Sequence, residues 1–197
     1  ADFGYDPTVN QQDTASLSYV AEPYPGLRII AIDASQWYLN TFQNKGDDKD
    51  YRADYGKIQP STLQWVLDRA DEARADNKRV IAMMHHQLIQ HFDGQAEMMK
   101  SATIEQGDSI AQLFVQHHIN LIFTGHMHIT NISTAYNEAK TDSITEITNG
   151  STLTYPVSFR WLSFSDELSH LSVNTRTVNA IEGIDSFALY SRDHYIR

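Results

Sequence analysis

Two apolar runs that each end in histidine constrain this chain more than any other feature. Residues 79–84, Arg-Val-Ile-Ala-Met-Met, lead into His85-His86, and residues 121–124, Leu-Ile-Phe-Thr, lead into Gly125-His126-Met127-His128. Runs of this length and type read as buried strands. An earlier run, 27–32, has the same character and ends in Asp33-Ala34-Ser35. Between it and the first histidine run, Leu63, Val66, Leu67 and Ala70 recur at helical spacing, with Asp68, Arg69, Asp71 and Glu72 on the other face. Between the two histidine runs, Ile110, Leu113 and Phe114 mark a second helix. Strand, helix, strand, helix, strand predicts parallel neighbours joined by right-handed crossovers. The carboxyl ends of such strands are where open α/β sheets collect ligands, so the two sets of histidines are expected to converge.

Local signals fill in the detail. Gly125 is expected to let the backbone turn sharply, and in extended backbone His126 and His128 would face one small volume. Ser61 and Gln64 have the spacing of a capping box after Pro60, and Asp108 stands where a cap would open the second helix. Asp33 reads as a carboxylate that hydrogen-bonds the following turn. Residues 19–25 suggest an edge strand and turn, and residues 1–18 a segment wrapping over the body. Residues 87–106, with His91, Phe92, Met98 and Met99, form a connection long enough to roof a site. After His128 the short runs 131–136, 144–148, 159–164 and 171–178 are β-rich and read as an antiparallel set. The class is therefore mixed α/β, with flanking helices.

Charge and composition narrow the chemistry. The 197 residues suit one domain, 1–197, and the formal charge of −10 argues against a nucleic-acid backbone or an anionic membrane surface as partner. A phosphate-bearing substrate would need local positive charge, which bound cations supply. There are no cysteines, which excludes thiol catalysis, disulfides and zinc fingers, and no stretch approaches the length of a membrane span. Imidazole is a common metal ligand. A single histidine beside an apolar run is more often a hydrogen-bonded core residue, and His86 by itself reads that way; two histidine-bearing strand ends favour a metal site.

Several metalloenzymes use His-x-His. The metallo-β-lactamase pattern has an Asp two residues beyond the second histidine, where this chain has Thr130, and a cupin has a glutamate on the same strand. Gly125-His126-Met127-His128, with an apolar strand ending in His85-His86 upstream, resembles the last two motifs of the calcineurin-like metallophosphoesterases. The run Met83-Met84-His85-His86-Gln87-Leu88-Ile89-Gln90-His91-Phe92, then Thr124-Gly125-His126, then Thr148-Asn149-Gly150-Ser151 before Tyr155-Pro156, is similar to the secreted bacterial branch. The family's opening Asp-x-His and its Gly-Asn-His motif do not occur. Gly46-Asp47-Asp48-Lys49-Asp50 spells Gly-Asp-x-x-Asp, but it follows Asn44 and Lys45 instead of an apolar strand and reads as a solvated charge run. The chain thus resembles the carboxyl-terminal half of the family's four-layer αββα sandwich.

That resemblance implies a hydrolase of phosphomonoesters or phosphodiesters with two divalent or trivalent ions (manganese, zinc or iron). His85 and His126 would ligate one ion and His128 the other, with His86 a neighbour that orients ligands, and His91 orienting a ligand, touching substrate or serving as a hydrogen-bonded loop histidine. It also implies a secreted or periplasmic setting, carboxylates supplied by upstream sequence, and an amino-terminal half or second copy covering exposed surface. Two-metal hydrolysis needs ions about 3.5–4 Å apart, which three histidines cannot hold. The chain alone is therefore expected to hold metal partially and to be nearly inactive. The alternative is a non-catalytic metal-binding or interaction domain.

Overall fold

The computed structural model describes residues 16–36 and 55–195. The expected wrapping segment falls largely, and the acidic run 46–50 wholly, outside the described residues. β1 (Tyr19–Tyr24) and β2 (Leu27–Ile32) pair antiparallel around Gly26, whose φ of +81° needs the freedom of glycine. α1 (Pro60–Ala75) crosses to β3 (Arg79–Met84), and α2 (Gln95–Met98) and α3 (Gly107–Gln116) lie before β4 (Leu121–Thr124). β5 (Asn131–Tyr136) and β6 (Ser143–Thr148) follow, then β7 (Ser158–Phe164), β8 (Leu171–Thr177) and α4 (Phe187–Tyr195). The main sheet has the order β1-β2-β3-β4-β6-β5, with β2, β3, β4 and β6 parallel. It is a mixed α/β structure with flanking helices.

Strand alternation decides which face carries the core. Ile30, Ile32, Ala82, Met84, Ile122 and Ile144 point to one side and pack on Val66 and Ala70 of α1 and Ala111, Phe114 and Val115 of α3. Each large apolar side chain buried this way contributes about 1.5–3 kcal/mol, so this face dominates the stability. Arg28 is a charged member of this face. Its guanidinium, little exposed, reaches Glu22, Glu72 and the Arg69 carbonyl.

Three local expectations give way to other chemistry. α1 begins at Pro60 with Gln59 as N-cap and no capping side chain, because proline already occupies the position where an N–H would lack a partner. Gln64 instead donates to Asp68, one turn on. Asp108 lies within the first turn of α3 and not before it; Gln106, in left-handed backbone, is the N-cap. The β-rich tail is also not one antiparallel set. β5 and β6 form a hairpin, but β6 inserts beside β4 in parallel, leaving β5 as an edge.

β7 and β8 form their own two-stranded sheet, with Ser158 opposite Thr177, Arg160 opposite Thr175 and Phe164 opposite Leu171. The turn of this hairpin rests on the β1–β2 turn: Leu168 comes within 3.4 Å of where a Gly26 Cβ would stand. Trp161, half exposed on the other hairpin face, is covered by the Arg176 guanidinium at 4.9 Å. No helix among the described residues is long and apolar enough to cross a membrane.

Candidate functional site

β3 and β4 are adjacent and parallel, with Met83 beside Phe123, so the residues that follow them emerge side by side. The Gly125 N–H donates to the His85 carbonyl at 3.0 Å, locking the two strand ends together. Beyond Gly125 the chain departs from the extended path expected of it. The Met127 N–H donates to the Gly125 carbonyl at 2.7 Å around His126, whose φ is +62°, and His128 has φ +55°. This is a three-residue turn of the rare γ type, carried by a histidine instead of glycine. Left-handed backbone at a residue with a side chain costs on the order of 1–3 kcal/mol and concentrates where a site over-determines the geometry.

The turn aims His126 at His85. Nδ1 of His126 stands 2.9 Å from Nε2 of His85, with ring centroids 4.9 Å apart and planes perpendicular. His86 completes a group of three rings, its centroid 5.3 Å from that of His85 and 4.7 Å from that of His126. His85 is exposed at the surface and His86 is buried. Sequence reasoning did not single out Gly56, yet it closes the back of this group. A Cβ there would stand 2.6 Å from Cγ of His86. Its only signal in the sequence is one glycine ending a long polar stretch.

His128, expected to share the direction of His126, instead lines a neighbouring cleft with Thr130, Gly150, Tyr155 and Ser158. Positive φ at His126 and again at His128 breaks the extended two-residue period on which that expectation rested. Among the described residues, no three His, Asp, Glu or Cys side chains are grouped to hold one ion. Asp33 does what its position suggested. It accepts from Ser35 N–H and Oγ at 3.0 and 2.6 Å and from Leu17 N–H at 3.0 Å, so it serves the local turn.

His91 leads to a second residue that the sequence reading missed. Its side chain is wholly buried, with Nε2 3.4 Å from Oε1 of Glu146, itself without solvent exposure. The other carboxylate oxygen accepts the N–H groups of Leu88 and Ile89 at 3.0 and 2.8 Å, and Thr124 Oγ1 donates to Oε1. Glu146 therefore ties the segment after His85-His86 to the strand before His126. Gln95 reinforces the loop, accepting from His91 N–H at 2.7 Å and donating to the buried Gln87. Ile144, Glu146 and Thr148 share one strand face, so a signal was present: an acid two residues from Ile144 on the inward period of a β-rich strand.

Electrostatics elsewhere is local. Hydrogen bonds from Lys78 and then Arg28 hold the Glu22 carboxyl below its ordinary value, and burial pulls the Arg160 guanidinium below its own. Arg160 donates to Thr175 Oγ1 and reaches the Asn131 carbonyl at 3.5 Å.

No known family's sequence profile matches the chain, and no curated protein does. Among solved structures it is similar to a dimetal phosphatase from Danio rerio, with a TM-score of 0.59 at 14% identity. The match covers 86% of this chain and 60% of that one. At that identity the likeness is one of fold, and this chain spans well under two thirds of the other protein's length.

Proposed function

We propose that this chain supplies the histidine half of a metal-dependent phosphoesterase centre. The observation that carries the reading is the facing pair of ring nitrogens, His85 Nε2 and His126 Nδ1, 2.9 Å apart at the carboxyl ends of adjacent parallel strands. Two imidazole nitrogens each about 2.0–2.1 Å from one ion, at ligand angles of about 90–110°, stand roughly 2.9–3.4 Å apart, so the pair fits a shared ion. The likeness to a dimetal phosphatase fold adds support. His85 and His126 would hold the ion and His128 a second one, with manganese, zinc or iron as candidates. His86, buried against both rings, would fix their orientation, and His91 would act through Glu146. When bound, such ions supply an activated hydroxide and charge stabilisation for phosphoryl transfer.

The donor set is incomplete among the described residues, so the carboxylates of a dinuclear site would come from elsewhere. Leu17 and Met83 are exposed beside His85, in a shallow apolar depression that includes Tyr19 and Ala31. An amino-terminal half or a second copy covering that surface would deliver carboxylates to the histidines. The substrate would be a small phosphoester, in keeping with a chain too acidic to favour nucleic acid, and the setting secreted or periplasmic.

Hydrolysis of an aryl phosphate and its diester tests this, with manganese, zinc or iron added, comparing this chain with one extended upstream. Turnover by the extended protein, lost in His85→Ala and His126→Ala, is the expected result. Equal turnover by both chains would show a complete site within these residues. The absence of a third ligand among the described residues also favours a second reading, a metal-binding interaction domain. Zinc uptake without turnover in either chain would select it.

A further inference from the structure

The cleft beside His128 has a chemistry of its own. It is formed by residues 128–130, the segment from Gly150 to Pro156 and the β7–β8 hairpin, and encloses about 330 Å³, at the small end for a ligand cleft. None of its lining residues is Asp, Glu, Lys or Arg; five are serine or threonine, and Tyr155 is half exposed at the mouth.

The hydrogen bonds already made decide what four of these hydroxyls can still offer. Thr154 Oγ1 donates its proton to the Ser151 carbonyl, so it faces a ligand as an acceptor. Thr175 Oγ1 accepts from Arg160, so its own O–H remains available as a donor. Thr130 and Ser158 share one hydrogen bond at 3.0 Å, which leaves the pair one O–H and several lone pairs. A ligand group must therefore donate at one point and accept at the next. Hydroxyl groups do both; a carboxylate or a fully ionised phosphoester only accepts, and an alkyl chain would strand these groups unpaired. Gly150 keeps the space open, since a Cβ there would stand 3.0 Å from Thr130 Oγ1 and 3.3 Å from Ser158 Oγ.

We propose that this cleft holds an uncharged, hydroxyl-rich leaving group of the sugar class, lying against the Tyr155 ring. The assignment rests on the phosphoesterase reading for its purpose but not for its test. Amide and side-chain shifts of the chain would be followed by NMR on titration with methyl α-D-glucopyranoside and, separately, inorganic phosphate. The glycoside is expected to move residues 130, 154, 158 and 175, while phosphate leaves them in place. Tyr155→Ala, a change at an exposed ring, should weaken glycoside binding roughly three- to tenfold. Gly150→Ala should weaken it by filling the floor. No shifts at these residues up to about 100 mM glycoside, a limit set by the weakest affinities such contacts give, would overturn the proposal. So would phosphate moving the same residues, which would make the cleft an anion site, or glycoside shifts unchanged in both variants. Because glycoside binding requires neither metal nor turnover, absence of hydrolysis would count against the phosphoesterase reading alone.

Discussion

Glu146→Ala is the sharpest test of how the site is held. The carboxylate is fully buried and receives the Leu88 and Ile89 amides, the Thr124 hydroxyl and the approach of His91. Removing it strands two buried N–H groups, each at a cost of about 1–3 kcal/mol, while Thr124 can turn its hydroxyl elsewhere. The sum is about 2–6 kcal/mol before any cavity term, against a total stability of roughly 5–15 kcal/mol for a domain. Glu146→Gln keeps a carbonyl oxygen for both amides and presents its NH₂ to Thr124, so it should cost only about 1 kcal/mol, the difference between charged and neutral acceptors. Urea unfolding followed by circular dichroism reads both. With a slope of about 2 kcal/mol/M, the alanine variant should lose about 1–3 M in midpoint and the glutamine variant about 0.5 M. Exchange of the Leu88 and Ile89 amides should quicken in the alanine variant before the core opens. An alanine variant within about 1 kcal/mol of the parent, or a glutamine variant equally damaged, would refute the keystone role, because the penalty follows from stranded donors and not from lost charge.

Other outcomes follow from the same geometry. Zinc affinity measured by calorimetry should fall at least about 100-fold in His85→Ala and in His126→Ala, and about 10- to 100-fold in His86→Ala, as expected for a residue that only orients ligands. Gly56→Ala should cost about 1–3 kcal/mol in thermal unfolding, since its Cβ meets ring and Cβ atoms of His86 that cannot swing away, and it should weaken zinc binding together with stability. Glu22→Gln tests the ion pairs around Arg28. The folded carboxyl is depressed, so its contribution, about 0.5–1 kcal/mol for partly exposed pairs, is present above the ordinary glutamate pKa and fades as pH falls through the lower folded value. Unfolding curves of parent and variant should differ at pH 7 and merge in strong acid; a constant gap at all pH values would mean that the charge is not responsible.

The order of strands and helices was legible because the apolar periods of residues 27–32, 60–75, 79–84, 107–116 and 121–124 are local and unmixed. The place of β6 was not. Its sequence pairs it with β5, and only the packing of Ile144 into the core beneath β4 decides that the hairpin adds to the sheet through β6. Convergence of His85 and His126 followed from strand adjacency, which topology fixes. The direction of His128 depended on two positive φ angles that the sequence pattern does not announce, since such angles are uncommon at any residue with a side chain. Capping was misread at these two helices for a related reason: Gln59, set by the proline that follows it, and a left-handed Gln106 hold the cap positions that Ser61 and Asp108 mark in the sequence.

The β7–β8 hairpin forms one wall of the cleft beside His128, yet among the described residues its ladder belongs to no larger sheet. A lone pair of strands is marginal in water, so the free energy of opening this wall is far below that of the six-stranded body. Its amides should therefore exchange together and early, as one cooperative unit, while those of β3 and β4 wait for global unfolding. The histidines are thus mounted on the slowest-opening part of the molecule and the cleft wall on one of the fastest. A ligand entering the cleft would meet a surface able to yield on the microsecond-to-millisecond scale beside a centre that does not.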